Sequence, residues 1–229
     1  MTKVLGIDAS TEGCSVALYV DGVFYEKNEV CPQGHTKLLL PMVDEILKEH
    51  ALSLADLDFL ACGKGPGSFT GVRIGVSITQ GLALGSDKKV VGICDLEAMA
   101  DNAMEETKCE YAVSAIDARM GEVYLGIYHL ENKKLVSLIE ESVVKPEDAI
   151  TKIKETLGNN KFAYSGTAFT TYSNLKESMT LGVVSKNNLP MAKSVVNLAL
   201  NSSERLEPEE LLPLYVRDTV TWKKVSEQK

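Results

Sequence analysis

Residues Gly6-Ile7-Asp8-Ala9-Ser10-Thr11 close the first apolar run of the chain, and Ala115-Ile116-Asp117-Ala118-Arg119-Met120 close another near its middle. A Gly/Glu pair follows each, Glu12-Gly13 or Gly121-Glu122, and then a strand-like stretch, Ser15 to Val20 or Val123 to His129. A near-repeat longer than one supersecondary unit predicts two similar lobes facing each other across a cleft. The copies differ where chemistry is expected: Ser10 and Thr11 of the first become Arg119 and Met120 in the second.

Around these turns the pattern of elements also repeats. Strands are predicted over 3–7, 15–20 and 23–30, the last two joined by the hairpin pair Asp21-Gly22. Leu38, Leu39, Met42, Val43, Ile46 and Leu47 recur at helical spacing, with Pro41 expected to delay or kink that helix. A strand over 57–62, a helix over 70–85, a strand over 90–93 and a helix over 95–107 capped by Asp95 complete the first half. The second half reads as strands over 111–116, 122–129 and 134–143, a helix over 146–157, a strand over 162–164 and a helix from Pro190 to Leu200. Strand-strand-strand-helix-strand occurring twice implies α/β organisation with mixed sheets. The first lobe is assigned to 1–107, the second to 108–205, and 206–229 to a tail that packs back toward the first lobe.

The chain has 229 residues and a net charge of −8. No apolar run approaches the roughly 20 residues a membrane span needs, and the opening Met1-Thr2-Lys3-Val4-Leu5 enters a strand directly, so no signal peptide is expected. Cys14, Cys31, Cys62, Cys94 and Cys109 are odd in number and widely spaced, the pattern of reduced thiols in a cytoplasmic protein. The acidic balance argues against strong independent binding to nucleic acid, whose affinity comes largely from neutralising phosphates.

Asp8, Ser10 and Thr11 could form a phosphate-cradling turn with Asp117 facing them, or each Asp could simply cap its own turn. The segment Gly65-Pro66-Gly67-Ser68-Phe69-Thr70-Gly71-Val72-Arg73-Ile74-Gly75 is neither a P-loop nor a dinucleotide fingerprint. Its glycines run on into a helix in two rows of four-residue spacing, Gly71-Gly75-Thr79 and Ser77-Gly81-Gly85. Glycine within a helix costs about 1 kcal/mol relative to alanine, so the rows imply close helix approach, either inside the lobe or across a protein interface. His35, His50 and His129 share no metal-binding spacing, and His35 and His50 read as surface residues at helix ends.

Taken together, Gly6 to Ser10, Gly65 to Gly75, Asp117-Ala118-Arg119-Met120-Gly121-Glu122-Val123-Tyr124 and Pro213-Leu214-Tyr215-Val216-Arg217 closely resemble the TsaB (YeaZ) family of tRNA threonylcarbamoyladenosine biosynthesis. The resemblance spans nearly the whole chain. It implies two ribonuclease-H-like lobes of the actin/Hsp70 (ASKHA) duplicated architecture. It also implies a non-catalytic cytoplasmic subunit that binds and activates TsaD, which modifies the adenosine beside the anticodon of tRNAs reading A-starting codons. TsaE is a further implied partner, self-association into a dimer is implied for the isolated chain, and tRNA is met mainly through the complex. No cofactor of its own is implied, ATP/ADP and metal belonging to partner subunits or the shared interface. TsaD-type proteins hold metal through first-lobe histidines, and the corresponding stretch Asp95 to Ala100 has none. Asp8, Ser10, Thr11 and Asp117 are then remnants of a nucleotide site. Gly71, Val72, Gly75, Ile78 and Thr79 are partner-contact candidates, so Gly75→Leu is expected to fold but not pair. An independent actin-like ATPase or small-molecule kinase is the alternative, and a peptidase the least supported one.

Overall fold

The computed structural model describes residues 2–132 and 134–217. The first five strands are β1 (Lys3–Asp8), β2 (Gly13–Val20), β3 (Val23–Val30), β4 (Phe59–Gly63) and β5 (Lys89–Ile93), with α1 (His35–Glu49), α2 (Phe69–Ser86) and α3 (Asp95–Thr107) between or after them. The second set is β6 (Tyr111–Arg119), β7 (Glu122–Glu131), β8 (Lys134–Ser137), β9 (Ser142–Val144), α4 (Pro146–Leu157), β10 (Phe162–Ser165), α5 (Ala168–Thr171), α6 (Ser173–Glu177), β11 (Gly182–Val184) and α7 (Ala192–Asn201). The sheets run β3-β2-β1-β4-β5 and β11-β10-β6-β7-β8, so the second repeats the first in reverse listing, strand for strand. In each, the first three strands are antiparallel and the rest parallel.

β1 is buried along nearly all its length because both faces of its sheet are covered. Leu5 and Ile7 join a core with α1 and α2, whereas Val4 meets α7 on the other face. α7 comes so near that a Cβ on Gly6 would lie 2.4 Å from Val196. This placement corrects the expected lobe boundary. Although α7 follows the second sheet in sequence, its apolar side (Ala192, Val195, Val196, Ala199) packs on the first. Reciprocally, Leu96, Met99, Ala100 and Ala103 of α3 pack on Ala112, Ile116, Tyr128 and Ala163 of the second sheet. The terminal helix of each repeat therefore crosses to the opposite sheet, and the two helices also touch each other.

Three smaller corrections concern element bounds. α1 begins at His35 and continues through Pro41, which lies on its solvent side where the carbonyl it leaves unbonded can be hydrated. The single strand expected over 134–143 is two, β8 and β9, both paired with β7. Between them Ile139 turns into the core and Glu141 accepts a hydrogen bond from the Tyr128 hydroxyl at 2.9 Å. The last helix begins at Ala192, two residues after Pro190, and α5, α6 and β11 are too short to register as periodic patterns. Of the tail, Leu206 bridges to Val90, Leu211 is buried in the first core and Leu214 N–H donates to Lys64 at 2.6 Å. Residues 218–229 of the assigned tail lie outside the described residues.

Candidate functional site

Asp8 ends β1 and the helix α3 starts at Asp95, and both side chains have no exposed surface. Asp95 is the first helical residue and not the cap expected of it; Cys94 precedes it. Its carboxylate accepts from Gly65 N–H at 2.6 Å while its own N–H donates to Gly65 at 2.9 Å. The two carboxyl groups sit directly over Gly63. A Cβ there would lie 1.9 Å from Asp8 Oδ2 and 2.3 Å from Asp95 Oδ1, so those oxygens cannot be farther apart than the sum of these distances. Burial pushes both groups above the ordinary carboxylate range, and the neighbouring Asp8 charge pushes Asp95 further. Asp95 Oδ1 has no donor if both groups are ionised. Two adjacent buried carboxylates do not both ionise readily, and a proton retained by the pair would supply that donor.

The rest of the first turn is closed by its own chain. Ser10 N–H and hydroxyl donate to Asp8 at 3.1 and 3.2 Å, and Thr11 Oγ1 accepts from Gly13 N–H at 3.4 Å. Ser68 N–H donates to the Ser10 carbonyl at 2.6 Å. The glycines of the 65–75 segment permit this contact, since a Cβ on Gly67 or Gly71 would stand 2.1 or 2.2 Å from the carbonyl oxygen of Ser10 or Ala9. The buried, self-satisfied turn does not fit a Mg²⁺–nucleotide. Asp117 is elsewhere and differently engaged. It accepts from the Tyr172 hydroxyl at 2.9 Å and from Arg119 N–H at 3.0 Å, and no hydrogen bond or ion pair joins it to Asp8 among the described residues. Met120 and Gly121 form a tight hairpin, both at positive φ (57° and 78°), where the first repeat has a wider loop. The expected four-residue nucleotide remnant is thus two separate, locally satisfied turns.

The faces of α2 sort the partner-contact candidates. Gly71, Val72, Gly75 and Thr79 point inward, which corrects their assignment as contact residues. A Cβ on Gly75 would lie 3.6 Å from Ala9 Cβ, so Gly75→Leu would push into the sheet and cannot test an interface. Ile78 lies on the flank of the helix, partly buried against the same core. With Thr36 and Leu40 of α1 and Phe69, Thr70, Arg73, Ile74 and Ser77 of α2, it lines a groove of about 510 Å³. Leu40 and Phe69 are 47% and 59% exposed, and Leu84 further along α2 is 72% exposed. Arg73 lies 3.5 Å over the Phe69 ring and donates to the Tyr215 hydroxyl at 2.8 Å, so the tail frames one end of the groove. The second small-residue row, Ser77-Gly81-Gly85, also faces out, and a Cβ on Gly81 or Gly85 would meet nothing within 4 Å. No packing among the described residues explains those two glycines.

The duplicated sheets and the exchanged terminal helices define a protein of actin/Hsp70-like fold, here with the turn after its first strand sealed. A family model described as TsaD, tRNA N6-adenosine threonylcarbamoyltransferase, matches residues 27–221. The chain is 39% identical to the tRNA threonylcarbamoyladenosine biosynthesis protein TsaB of Escherichia coli, over 97% of this chain and 98% of that one. It is 40% identical to the TsaB of Haemophilus influenzae, over 97% and 96%. Among solved structures, YeaZ from Pseudomonas aeruginosa superimposes with a TM-score of 0.84 at 35% identity, covering 94% of this chain and all of that one. A second Pseudomonas structure, described as similar to peptidase YeaZ, gives 0.86 at 35% over 95% and 100%. The chain belongs to the TsaB (YeaZ) family.

Among the described residues no helix is long and apolar enough to cross a membrane. Two features escaped the sequence reading. Asp95 is part of the acid pair, and no local signal marks it, since the partners are brought together only by the parallel β1–β4–β5 arrangement. His35, expected at the surface, is buried with Nε2 2.8 Å from the Thr11 carbonyl.

Proposed function

We propose that this chain is the non-catalytic subunit that binds and activates a TsaD-type threonylcarbamoyltransferase in the formation of threonylcarbamoyladenosine in tRNA, docking through the open α1–α2 face. The observation that carries the interface is the pair Gly81 and Gly85: exposed helical glycines with no atom of the described residues within 4 Å of where a Cβ would stand. Each costs the free chain up to about 1 kcal/mol, a cost that a second helix lying close across the row would offset. The exposed apolar side chains, Leu84 next to them and Leu40 and Phe69 at the groove, supply the area to be buried.

Catalysis belongs to the partner on this reading. No serine or cysteine among the described residues donates a hydrogen bond to a histidine, which leaves the peptidase reading without an activated nucleophile. ATP or ADP and the metal used in catalysis sit on partner subunits, TsaE among them, or at the shared interface. With a net charge of −8 the chain meets tRNA mainly through the assembly. Self-association of the isolated chain uses the same face and is displaced by TsaD. Analytical ultracentrifugation of the chain alone and mixed with TsaD from the same organism tests this. A one-to-one heterodimer replacing any homodimer is expected; no association at micromolar concentration, with or without ATP, removes the proposal.

A further inference from the structure

Outside the acid pair and the α1–α2 face, one edge of the first core brings two thiols and an imidazole together. Cys14 on β2, Cys31 just after β3 and His35 at the start of α1 are all buried, and their donor atoms lie within 4.8 Å of one another. The β2–β3 register pairs Cys14 with Glu29, and Cys31 follows two residues later on the same side of the hairpin. The loop between β3 and α1 then returns His35 to the two sulfurs. His35 Nε2 lies 2.8 Å from the Thr11 carbonyl, which can only accept, so Nε2 carries the proton and the lone pair is on Nδ1. A carbonyl that fixes the ring of a histidine through one nitrogen while the other stays free is the usual outer arrangement of a metal-binding imidazole. Cys31-x₃-His35 has the short spacing that brings two ligands from a loop and a helix start together.

We propose that Cys14, Cys31 and His35 form a binding site for one thiophilic closed-shell cation of the Zn²⁺ type. Two thiolates and a neutral imidazole are the donors that such an ion selects over Mg²⁺ or Ca²⁺. Binding breaks the two S–H bonds, forms two Zn–S bonds and one Zn–N bond, and releases two protons to the buffer without any redox change. Burial pushes the Cys14 thiol upward, with Cys31 beside it adding to the shift. The bound ion would tie the β2–β3 hairpin to the first turn of α1, and through Thr11 to the loop after β1. The site is independent of the docking reading: it stands or falls on metal binding by this chain alone.

The test uses the full chain, prepared without a polyhistidine tag and fully reduced, with Zn²⁺ and Co²⁺ as probes. Expected are retention of one Zn²⁺ per chain by elemental analysis and, after exchange, a near-ultraviolet thiolate-to-Co²⁺ charge-transfer band. Cys31→Ser and His35→Gln should each weaken Zn²⁺ by more than the roughly 10–100-fold that loss of an outer-shell partner costs. Cys109→Ser, outside the cluster, should leave affinity unchanged. The Co²⁺ spectrum of the unaltered chain decides the matter if a variant does not fold. No charge-transfer band with five titratable free thiols overturns the site. A Cys14–Cys31 disulfide in protein alkylated at lysis overturns it too, as does equal affinity in the cluster variants and the unaltered chain.

Discussion

Replacing Gly81 and Gly85 together by alanine should make the isolated chain more stable and its complex weaker. Neither position has a φ outside the helical range, and neither Cβ would meet an atom within 4 Å, so the added methyls carry no strain in the free protein. Helix propensity alone then favours the variant by about 1 kcal/mol at Gly81 and somewhat less at Gly85, which lies in the last turn. For a chain of this length, about 1.5 kcal/mol raises Tm by roughly 3–6 °C. In the complex the same methyls stand where two helix backbones meet. Overpacking there costs about 1–3 kcal/mol, a loss of roughly 5- to 150-fold in affinity for TsaD. Thermal unfolding followed by circular dichroism reads the first effect, and sedimentation or calorimetric titration with TsaD reads the second. A raised Tm with unchanged affinity would refute the interface, because the glycines would then have no role in docking. An unchanged Tm would refute the premise that they are costly in the free chain.

Three further outcomes follow from the same geometry. Ser77→Trp fills the exposed groove without touching the core, and overpacking there should reduce TsaD affinity about 5- to 150-fold with Tm within about 2 °C; pairing at the original strength would remove the groove from the contact. Gly63→Ala drives a methyl to 1.9 Å from Asp8 and 2.3 Å from Asp95 and should destabilise by about 3 kcal/mol or more, measured by urea unfolding; a near-neutral result would mean the acids do not sit as described. The third concerns pH. Unfolded aspartates release their protons near 3.8, whereas the folded pair keeps one to higher pH, so above 3.8 the folded state binds more protons and stability falls as pH rises, by at most about 1.4 kcal/mol per pH unit for one proton. Asp95→Asn can still accept from Gly65 and donate toward Asp8, and should flatten that decline; an unaltered stability–pH profile would count against a shared proton.

Which parts of this could be read in advance depends on the range of the interaction. The repeated turns at Asp8 and Asp117, the Asp21-Gly22 hairpin and the helix over the 70–85 region are local patterns, and the structure places them close to where the residues suggest. Both small-residue rows of α2 were also visible, but not the rotation of the helix. Inward or outward depends on which side meets β1 and β4, and that put Gly71, Gly75 and Thr79 in the core and left Gly81 and Gly85 open. Cys14 and Cys31 become neighbours once the hairpin register is known, yet His35 joins them only through the fold of the following loop.

Period, turn chemistry and the internal near-repeat by themselves determined a duplicated α/β organisation and the succession of most strands along the chain. Those signals are carried by residues a few positions apart, where backbone geometry alone dictates who is adjacent. The tertiary structure decided the exchange of α3 and α7 between sheets, the pairing of Asp8 with Asp95 and the sealing of the first turn by Gly67 and Ser68. An amphipathic helix records that it needs an apolar partner but not which of two similar sheets provides it. A buried carboxyl likewise carries no mark of the second acid that will share its proton until packing brings them together.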